Sequence, residues 1–456
     1  MTLEIDATAQ EEAEIERIKA ACVQSAREGL TPEELQNLLG GALAGKGFGD
    51  AAIACFEAAA GINPFNVAAL NNIGNVLLER GEVEAAIKRY RAALKINPDF
   101  AEAYSNLGNA QQQIGAADSA IMNYRLALSI NPDSAVVHNN LGNALRLRGM
   151  PEVALESYQT AVALSSDYAE AHLNMGIVLK ETGALDAAMA CFETAIRLDP
   201  EDADAHSQLA HTYRIDGNTD AAITHFNKTL EINPDNALDR HILAALNGET
   251  PAKAPRAYVE PLFDQYAAGF EHALVSELAY KTPKLLADLM TGSQSASSLG
   301  AVLDLGCGTG LAGVELRAHC QHLVGIDLSN AMLEQAREKG IYDQLTHTEI
   351  TGFLASEPLD FDIIVATDVL IYFGDLSDIF RLIKSRNQRG GKLVFSTEHS
   401  ETGDFVLHPT GRYAHSKPYI ETLCRKYDYT LVHFSTADLR KEKGAFLTGG
   451  LYMLEF

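Results

Sequence analysis

Positive charge is scarce in this chain: 36 Lys and Arg stand against 61 Asp and Glu, a formal net charge of −25. Nucleic-acid binding runs on Lys and Arg displacing counterions, so a surface of this sign repels phosphate backbones and no nucleic-acid substrate is expected. Long apolar runs are missing too. None approaches the roughly 18 residues a membrane span needs, and no membrane partner is expected. The first 19 residues are acidic and lack an apolar segment, unlike a secretory leader. Cysteine is thinly spread: Cys22, Cys55, Cys191, Cys307, Cys320 and Cys424 show no metal-type pairing, and each reads as a buried thiol in a reducing compartment. No His, Asp or Glu group has ligand spacing, so no metal is expected. What remains is the composition of a folded, cytoplasmic protein, 47% hydrophobic and 21% charged. At 456 residues it needs two or three domains.

The first half repeats. Gly47, Gly81, Gly115, Gly149, Gly183 and Gly217 are each 34 residues apart. At the same step run Pro64, Pro98, Pro132, Ser166, Pro200 and Pro234, then Ala52, Ala86, Ala120, Ala154, Ala188 and Ala222, then Phe56, Tyr90, Tyr124, Tyr158, Phe192 and Phe226. One unit explains all four ladders. A first helix over 67–78 turns at Gly81, where the missing Cβ allows a left-handed conformation. A second helix over 82–95 packs back on it, with Ala86 and Ala93 allowing close approach and Tyr90 filling the gap. Pro98 ends the helix because it has no amide proton to donate. One hairpin leaves an apolar face uncovered, so neighbours stack.

Over 33–247 the pattern resembles the tetratricopeptide repeat family, which implies an all-α superhelix of six repeats with a capping helix at 236–247. An acidic segment over 1–32, with a helix at 11–27, is expected to cap the other end. Asn72, Asn106, Asn140 and Asn174 recur at one position of the first helix, and Asn75, Asn109 and Asn143 three residues later. The resemblance places that helix on the concave groove, where side-chain amides can hydrogen-bond a protein or peptide backbone. The same amides can instead tie adjacent repeats together.

The rhythm stops at a polar, proline-bearing linker over 248–257. Beyond it, strand-type runs at 301–305, 323–328, 361–367 and 393–396 alternate with helical patterns, which predicts a mostly parallel sheet covered on both faces. The first run leads into Asp304-Leu305-Gly306-Cys307-Gly308-Thr309-Gly310. A glycine loop between strand and helix lets a ligand approach the backbone at the carboxyl edge of the sheet. Gly308, Gly310 and Gly313 also satisfy the dinucleotide pattern, with Asp327 at the place of a ribose-binding acid. A nicotinamide-dependent oxidoreductase therefore stays open as a rival reading. Asp304 favours a different ligand: a pyrophosphate gains nothing from a carboxylate there, whereas an amino-acid ammonium does.

With Ser329-Asn330-Ala331-Met332-Leu333 after Asp327, and 361–370 as a fourth strand and loop, residues 258–456 resemble class I S-adenosylmethionine-dependent methyltransferases. The resemblance implies a Rossmann-like α/β domain with a seven-stranded, mostly parallel sheet, and S-adenosyl-L-methionine as cofactor. Asp304, Gly306, Gly308 and Gly310 would hold its methionine part, Asp327 its ribose, and Leu328 and Met332 its adenine. Glu349 and Ile350 would meet the adenine amine, with Asp368 and Leu370 near the sulfonium. Upstream, 263–270 resembles a cap segment in which Tyr266 closes over the cofactor. The whole chain is similar to a bacterial group of predicted methyltransferases that carry tetratricopeptide repeats, through that cap, 368–376 and 411–416.

An oxygen or amine acceptor must lose a proton, which asks for a base. His399, His408, Arg412, Tyr413 and His415 cluster after the strand at 393–396, all but His399 within an insertion at 400–416 that precedes a helix at 418–426. His415 and Tyr413 form the preferred pair, with His399 beside them and Arg412 and Tyr372 as substrate contacts. The expected function is methyl transfer to an unidentified acceptor, with the repeats recruiting a protein substrate or scaffold. The alternatives are a catalytically inactive cofactor-binding scaffold, or a small-molecule methyltransferase whose repeats serve only localisation or assembly.

Overall fold

The computed structural model describes residues 2–25, 30–272, 274, 278–292, 298–356, 358–442 and 445–456. The chain divides into two compact units, Met1–Asn218 and Thr219–Phe456.

The first unit is helical throughout. After Thr2–Ser25 come the pairs Pro32–Ala44 with Gly49–Ile62, Val67–Glu79 with Val83–Ile96, Ala101–Gln113 with Ala117–Ile130, Ala135–Leu147 with Pro151–Leu164, and Ala169–Glu181 with Leu185–Leu198, then Ala203–Asp216. Within the expected 11–27 cap, Arg27 lies outside the described residues, while Ile15, Ile18 and Cys22 pack against the cluster around Leu39, Leu43 and Phe56. The repeats open with a capping box: the Thr31 side chain accepts from the Glu34 amide, and the Glu34 carboxylate accepts from the Thr31 amide at 2.8 Å. Each ladder glycine sits at positive φ, from 75° at Gly115 to 92° at Gly217, as the turn requires.

A second glycine ladder went unread in the sequence: Gly40, Gly74, Gly108, Gly142 and Gly176, again 34 residues apart. Each lies under the aromatic ring of its own repeat. A Cβ on Gly74 would stand 2.5 Å from Tyr90 Cε1, and one on Gly108 2.6 Å from Tyr124 Cε1. Both glycine and ring are needed, because the ring fills the space the glycine vacates. Tyr90, Tyr124 and Tyr158 are buried, and each hydroxyl donates to an asparagine of the first helix: Asn75 at 2.9 Å, Asn109 at 2.7 Å and Asn143 at 2.6 Å. Asn106, Asn140 and Asn174 donate back to Asn71, Asn109 and Asn139 of the preceding repeat at 3.0–3.1 Å. The second of the two expected roles, tying adjacent repeats together, is thus present in the structure.

The second unit opens with Thr219–Ile232 and Ala237–Leu246, followed by Arg256–Tyr266 and a mixed sheet. Its strands are β1 (Ala301–Leu305), β2 (His322–Asp327), β3 (Gln344–His347), β4 (Ile363–Ala366), β5 (Lys392–Ser400), β6 (Phe405–Leu407), β7 (Tyr413–Ser416), β8 (Thr430–Glu442) and β9 (Ala445–Glu455). β3, β2, β1, β4 and β5 run parallel in that order; β9 lies antiparallel to β5, and β8 to β9. These seven match the expected frame, but among the described residues the sheet has nine strands. The extra two come from the 400–416 insertion, a hairpin of β6 and β7. β7 pairs with β5 at Glu398–Ser400, beyond the last pair that β4 makes with it at Phe395. Alternate β1 residues feed opposite cores, Leu303 and Leu305 to one cluster and Val302 to the other.

The 248–257 segment is not a free linker. The Ala254 amide donates to the Tyr372 carbonyl at 2.9 Å, and the Gly374 and Asp375 amides donate to the Ala252 carbonyl at 2.9 and 2.8 Å. The expected capping helix, Ala237–Leu246, also belongs with this unit. Buried His241 Nε2 lies 3.0 Å from the Gly411 carbonyl, and its ring is 4.9 Å from that of Tyr258. Ala245 shares a cluster with Tyr258, Leu407 and Tyr413.

Two outcomes follow. Ala is the better helix former than Gly by about 1 kcal/mol, yet Gly74→Ala should destabilise the repeats by roughly 1–3 kcal/mol, because overpacking outweighs propensity. A urea midpoint equal to or above wild type would refute the ring-under-glycine packing. A fragment of residues 219–456 should melt cooperatively, whereas 248–456, which lacks the His241 and Ala245 contacts, should melt several degrees lower or aggregate. Equal melting points would show that those helices contribute nothing.

Candidate active site

The loop after β1 is held down by the loop after β2. The Cys307 amide donates to the Ile326 carbonyl at 2.9 Å. Asp327, last residue of β2, accepts the Gly308 amide on Oδ2 and the Ser329 amide on Oδ1, each at 2.8 Å. Burial raises its pKa, and these amides oppose the shift. Gly306 has φ 66°, and a Cβ there would collide with the Val369 side chain, so only glycine lets the loop pass this close to the segment after β4. Ser329 Oγ caps the helix Asn330–Lys339 by accepting from the Met332 amide at 3.1 Å and donates to Asp264 Oδ1 at 2.5 Å.

These loops border a cavity of 360 Å³ at the carboxyl ends of β1, β2 and β4. Of the expected cofactor residues, Gly306, Gly308, Asp327, Leu328, Glu349, Ile350 and Asp368 line it. Asp304 and Met332 stand behind the wall, fully buried, and Leu370 belongs to the sheet core. Gly310, left-handed at φ 90°, shapes the turn without lining the cavity. Burial drives Asp304 up to about 7, although Tyr342 donates to its Oδ2 at 2.6 Å, and the Asp327 charge pushes the same way as burial. Its other oxygen is buried with no partner among the described residues. Glu349 stays below its ordinary value: burial pushes it up, but Thr351 and the Gly352 amide, with Lys253 4.0 Å away, win.

The substrate-side expectations divide. Arg412 and Tyr372 line the cavity. His415, Tyr413 and His399 do not, and their assignment as the catalytic group is corrected on geometry. His415 lies 0% exposed inside the inserted hairpin, its Nε2 3.0 Å from the Gly374 carbonyl and its ring stacked on Tyr419. Burial lowers its pKa to about 4, which leaves it a neutral packing residue. Tyr413 is buried beside Phe405 and His241, and burial raises its pKa. The His399 ring packs 5.8 Å from Phe434. β-Strand alternation explains the misreading: within β7 the chemistry-bearing side chains serve the hairpin's own packing, while Arg412, just before the strand, reaches the cavity.

Tyr266, expected to close over the cofactor, is 57% exposed and does not line the cavity. Phe263 and Phe270 do, Phe263 meeting Tyr372 edge-on at 5.4 Å. The spacing of Val259, Phe263 and Phe270 marks one helical face, a signal the sequence carried and that a motif match passed over. Lys253, Tyr280 and Arg440 also line the cavity and belong to no motif. Asp368 takes φ 51°, rare for a residue with a side chain. It is pinned there: its amide donates to Ser396 Oγ at 2.8 Å, and its carboxylate accepts from Ser396 at 2.5 Å, Thr282 at 3.2 Å and Arg440 at 3.3 Å.

Comparison with known proteins agrees with the fold. Residues 74–115, 142–183 and 178–214 match the TPR repeat family, 101–134 and 203–236 the tetratricopeptide repeat family, and 303–393 the methyltransferase domain family. Methyltransferase-like protein 27 of Homo sapiens is 38% identical over 86 residues, 18% of this chain and 35% of that protein. Ubiquinone biosynthesis O-methyltransferase of Xylella fastidiosa (strain 9a5c) is 32% identical over 114 residues, 24% of this chain and 46% of that one. The chain thus spans half or less of these relatives. Among solved structures, YrrB, described as a TPR protein with an unusual peptide-binding site, is 29% identical, covering 41% of this chain and 96% of its own with a TM-score of 0.36. MamA is 28% identical, with 36% and 96% covered and a TM-score of 0.34. The chain carries N-terminal tetratricopeptide repeats followed by a methyltransferase domain.

The His415 environment sets an acid limit on stability. Its folded pKa, about 4, lies below its unfolded value near 6.5, so the contribution is complete above about 6.5 and is lost as pH falls toward 4. Roughly 3 kcal/mol should disappear across that window, and His415→Phe should flatten the slope whatever it does to absolute stability. An unchanged pH slope in denaturant titrations would refute a buried neutral imidazole.

Proposed function

We propose that the second unit is an S-adenosylmethionine-dependent methyltransferase and that the repeats recruit a protein partner. The observation that carries the reading is Asp327: two backbone amides fix its carboxylate at the cavity edge. Each carboxylate oxygen keeps a further lone pair, enough for a pair of sugar hydroxyls. Leu328 and Ile350 offer apolar surface for a purine, and Glu349 an acceptor for its amine. Asp304, with one buried oxygen that has no partner among the described residues, suits an ammonium reached through water. The residues therefore fit the cofactor.

When bound, S-adenosylmethionine supplies a methyl group already activated on a sulfonium, so the protein's work is positioning and exclusion of water. Positioning alone is worth on the order of 7–11 kcal/mol. Phe263, Phe270 and Leu274 form an apolar wall that keeps water out, and Asp368 is held in one orientation by Ser396, Thr282 and Arg440. Among the described residues no histidine lines the cavity, so a proton that must leave the acceptor would pass to Asp368. The relatives named as O-methyltransferases support an oxygen acceptor.

For the repeats, Asn106, Asn140 and Asn174 are half-buried, and their side-chain oxygens accept no hydrogen bond among the described residues. Such oxygens suit the amides of an extended peptide.

Asp327→Ala should weaken S-adenosylmethionine binding by roughly 1.5–3 kcal/mol in calorimetry, the scale for hydrogen bonds to a charged group, and NAD should not bind either protein. Equal S-adenosylmethionine affinity in wild type and variant, or tight NAD binding, would overturn the assignment.

A further inference from the structure

Away from Asp327 the cavity has an unusual wall. Arg412 and Arg440 both line it, with side chains only 20% and 9% exposed. Both donate to one oxygen, Glu398 Oε1, at 2.6 Å from Arg412 Nε and 2.8 Å from Arg440 Nη2. Glu398 stands behind the wall, 4% exposed. Arg440 Nη1 also reaches Asp368 at 3.3 Å, and Arg412 Nη2 pairs with Glu442, whose side chain is 31% exposed. A buried ion network contributes little to stability that well-packed apolar residues would not supply. Two guanidiniums set in an apolar wall therefore call for a use.

Three features of this end agree on that use. First, the polar lining has a surplus of donors. Arg412, Arg440 and Tyr372 can donate, Tyr280 is already engaged with Asp368 and Thr282, and burial pushes both tyrosine hydroxyls well above their usual range, so they keep their protons. The acceptor at this end, Asp368, is already bound by Ser396, Thr282 and Arg440. A ligand here must bring acceptors. Second, a sulfonium held in the cavity adds a positive charge beside these guanidiniums, which an anion meets favourably and a cation would double. Third, Val259, Phe263, Phe270, Leu274, Pro283 and Ile371 leave the rest of the space apolar.

We propose that the methyl acceptor is a small apolar carboxylic acid whose carboxylate is held by the Arg412 and Arg440 guanidiniums while its body lies on the Phe263 and Phe270 wall; one carboxylate oxygen would bond to the methyl carbon as the methyl–sulfonium bond breaks, giving a methyl ester and a neutral thioether with no proton to remove. The planar guanidinium fork matches the two carboxylate oxygens. This inference rests on the methyltransferase reading, because the sulfonium supplies the charge that the acid meets.

Calorimetry on the full chain tests it with 3-phenylpropanoate and octanoate as probes, their primary amides as neutral isosteres, and 3-phenylpropylamine as the cation. The protein is first saturated with sinefungin, a cofactor analogue that carries an ammonium in place of the sulfonium. At least one acid should bind tenfold or more tighter than its amide, and less tightly when the neutral S-adenosylhomocysteine replaces sinefungin. Arg440→Gln and, separately, Arg412→Gln should lower acid affinity at least tenfold, and Arg412→Gln, which leaves the Asp368 contacts intact, should not change sinefungin affinity. The wild-type comparison of acid with amide stands even if a variant misfolds. Acids that bind no better than their amides, or a preference for the amine, overturn the proposal. Failure of sinefungin itself to bind instead overturns the cofactor reading, and this proposal falls with it.

Discussion

Asp327 is the point on which the second unit turns. One carboxylate joins the loop after β1, through the Gly308 amide, to the loop after β2, through the Ser329 amide. Ser329 in turn holds Asp264, near the end of the helix Arg256–Tyr266. Three stretches distant in sequence thus meet at one edge of the cavity. The cost of burying the charge is offset by amides that have no other partner at that bend, and the same desolvation makes the remaining lone pairs attractive to hydroxyl groups.

The opposite end of the cavity is built on other principles. It is assembled from elements that a Rossmann-like frame does not supply: the β6–β7 hairpin, the 252–254 segment paired to the stretch after β4, and the helix Ala237–Leu246 packed on Gly411 and Tyr258. The last helix of the repeat pattern is thereby part of the body that presents Arg412. Gly411, at φ 83°, is pressed so closely by Tyr258 and Ile242 that a Cβ there would lie 2.7 Å from the Tyr258 hydroxyl. Movement of that helix would be felt at the residue next door, which lines the cavity.

Much of this was legible in the sequence, and the parts that were not have physical reasons. Turn glycines and aromatic fillers announce repeats because a hairpin of fixed length has one solution for each position, so the 34-residue ladders gave the helices almost to the residue. Asp304, the glycine loop and Asp327 were legible because backbone geometry at a strand end constrains residue type. The acceptor end was not. His415 and Tyr413 carry the right chemistry, but whether a strand residue faces a cavity or a core depends on pairing partners, and a three-residue strand such as β6 leaves too short a pattern to read. Arg440 lies in a long antiparallel strand whose register shifts between Asp438 and Arg440, which no local pattern foretells. The second glycine ladder was legible and went unread, since helix-interior glycine usually signals weakness and here signals a ring overhead.

If the cavity beside Asp327 takes S-adenosylmethionine, a crystal structure of the chain grown with S-adenosylhomocysteine should show the nucleoside with both ribose hydroxyls on the Asp327 carboxylate and the purine between Leu328 and Ile350. Density at another place, or an Asp327 turned away from the sugar, would exclude that ligand from the cavity.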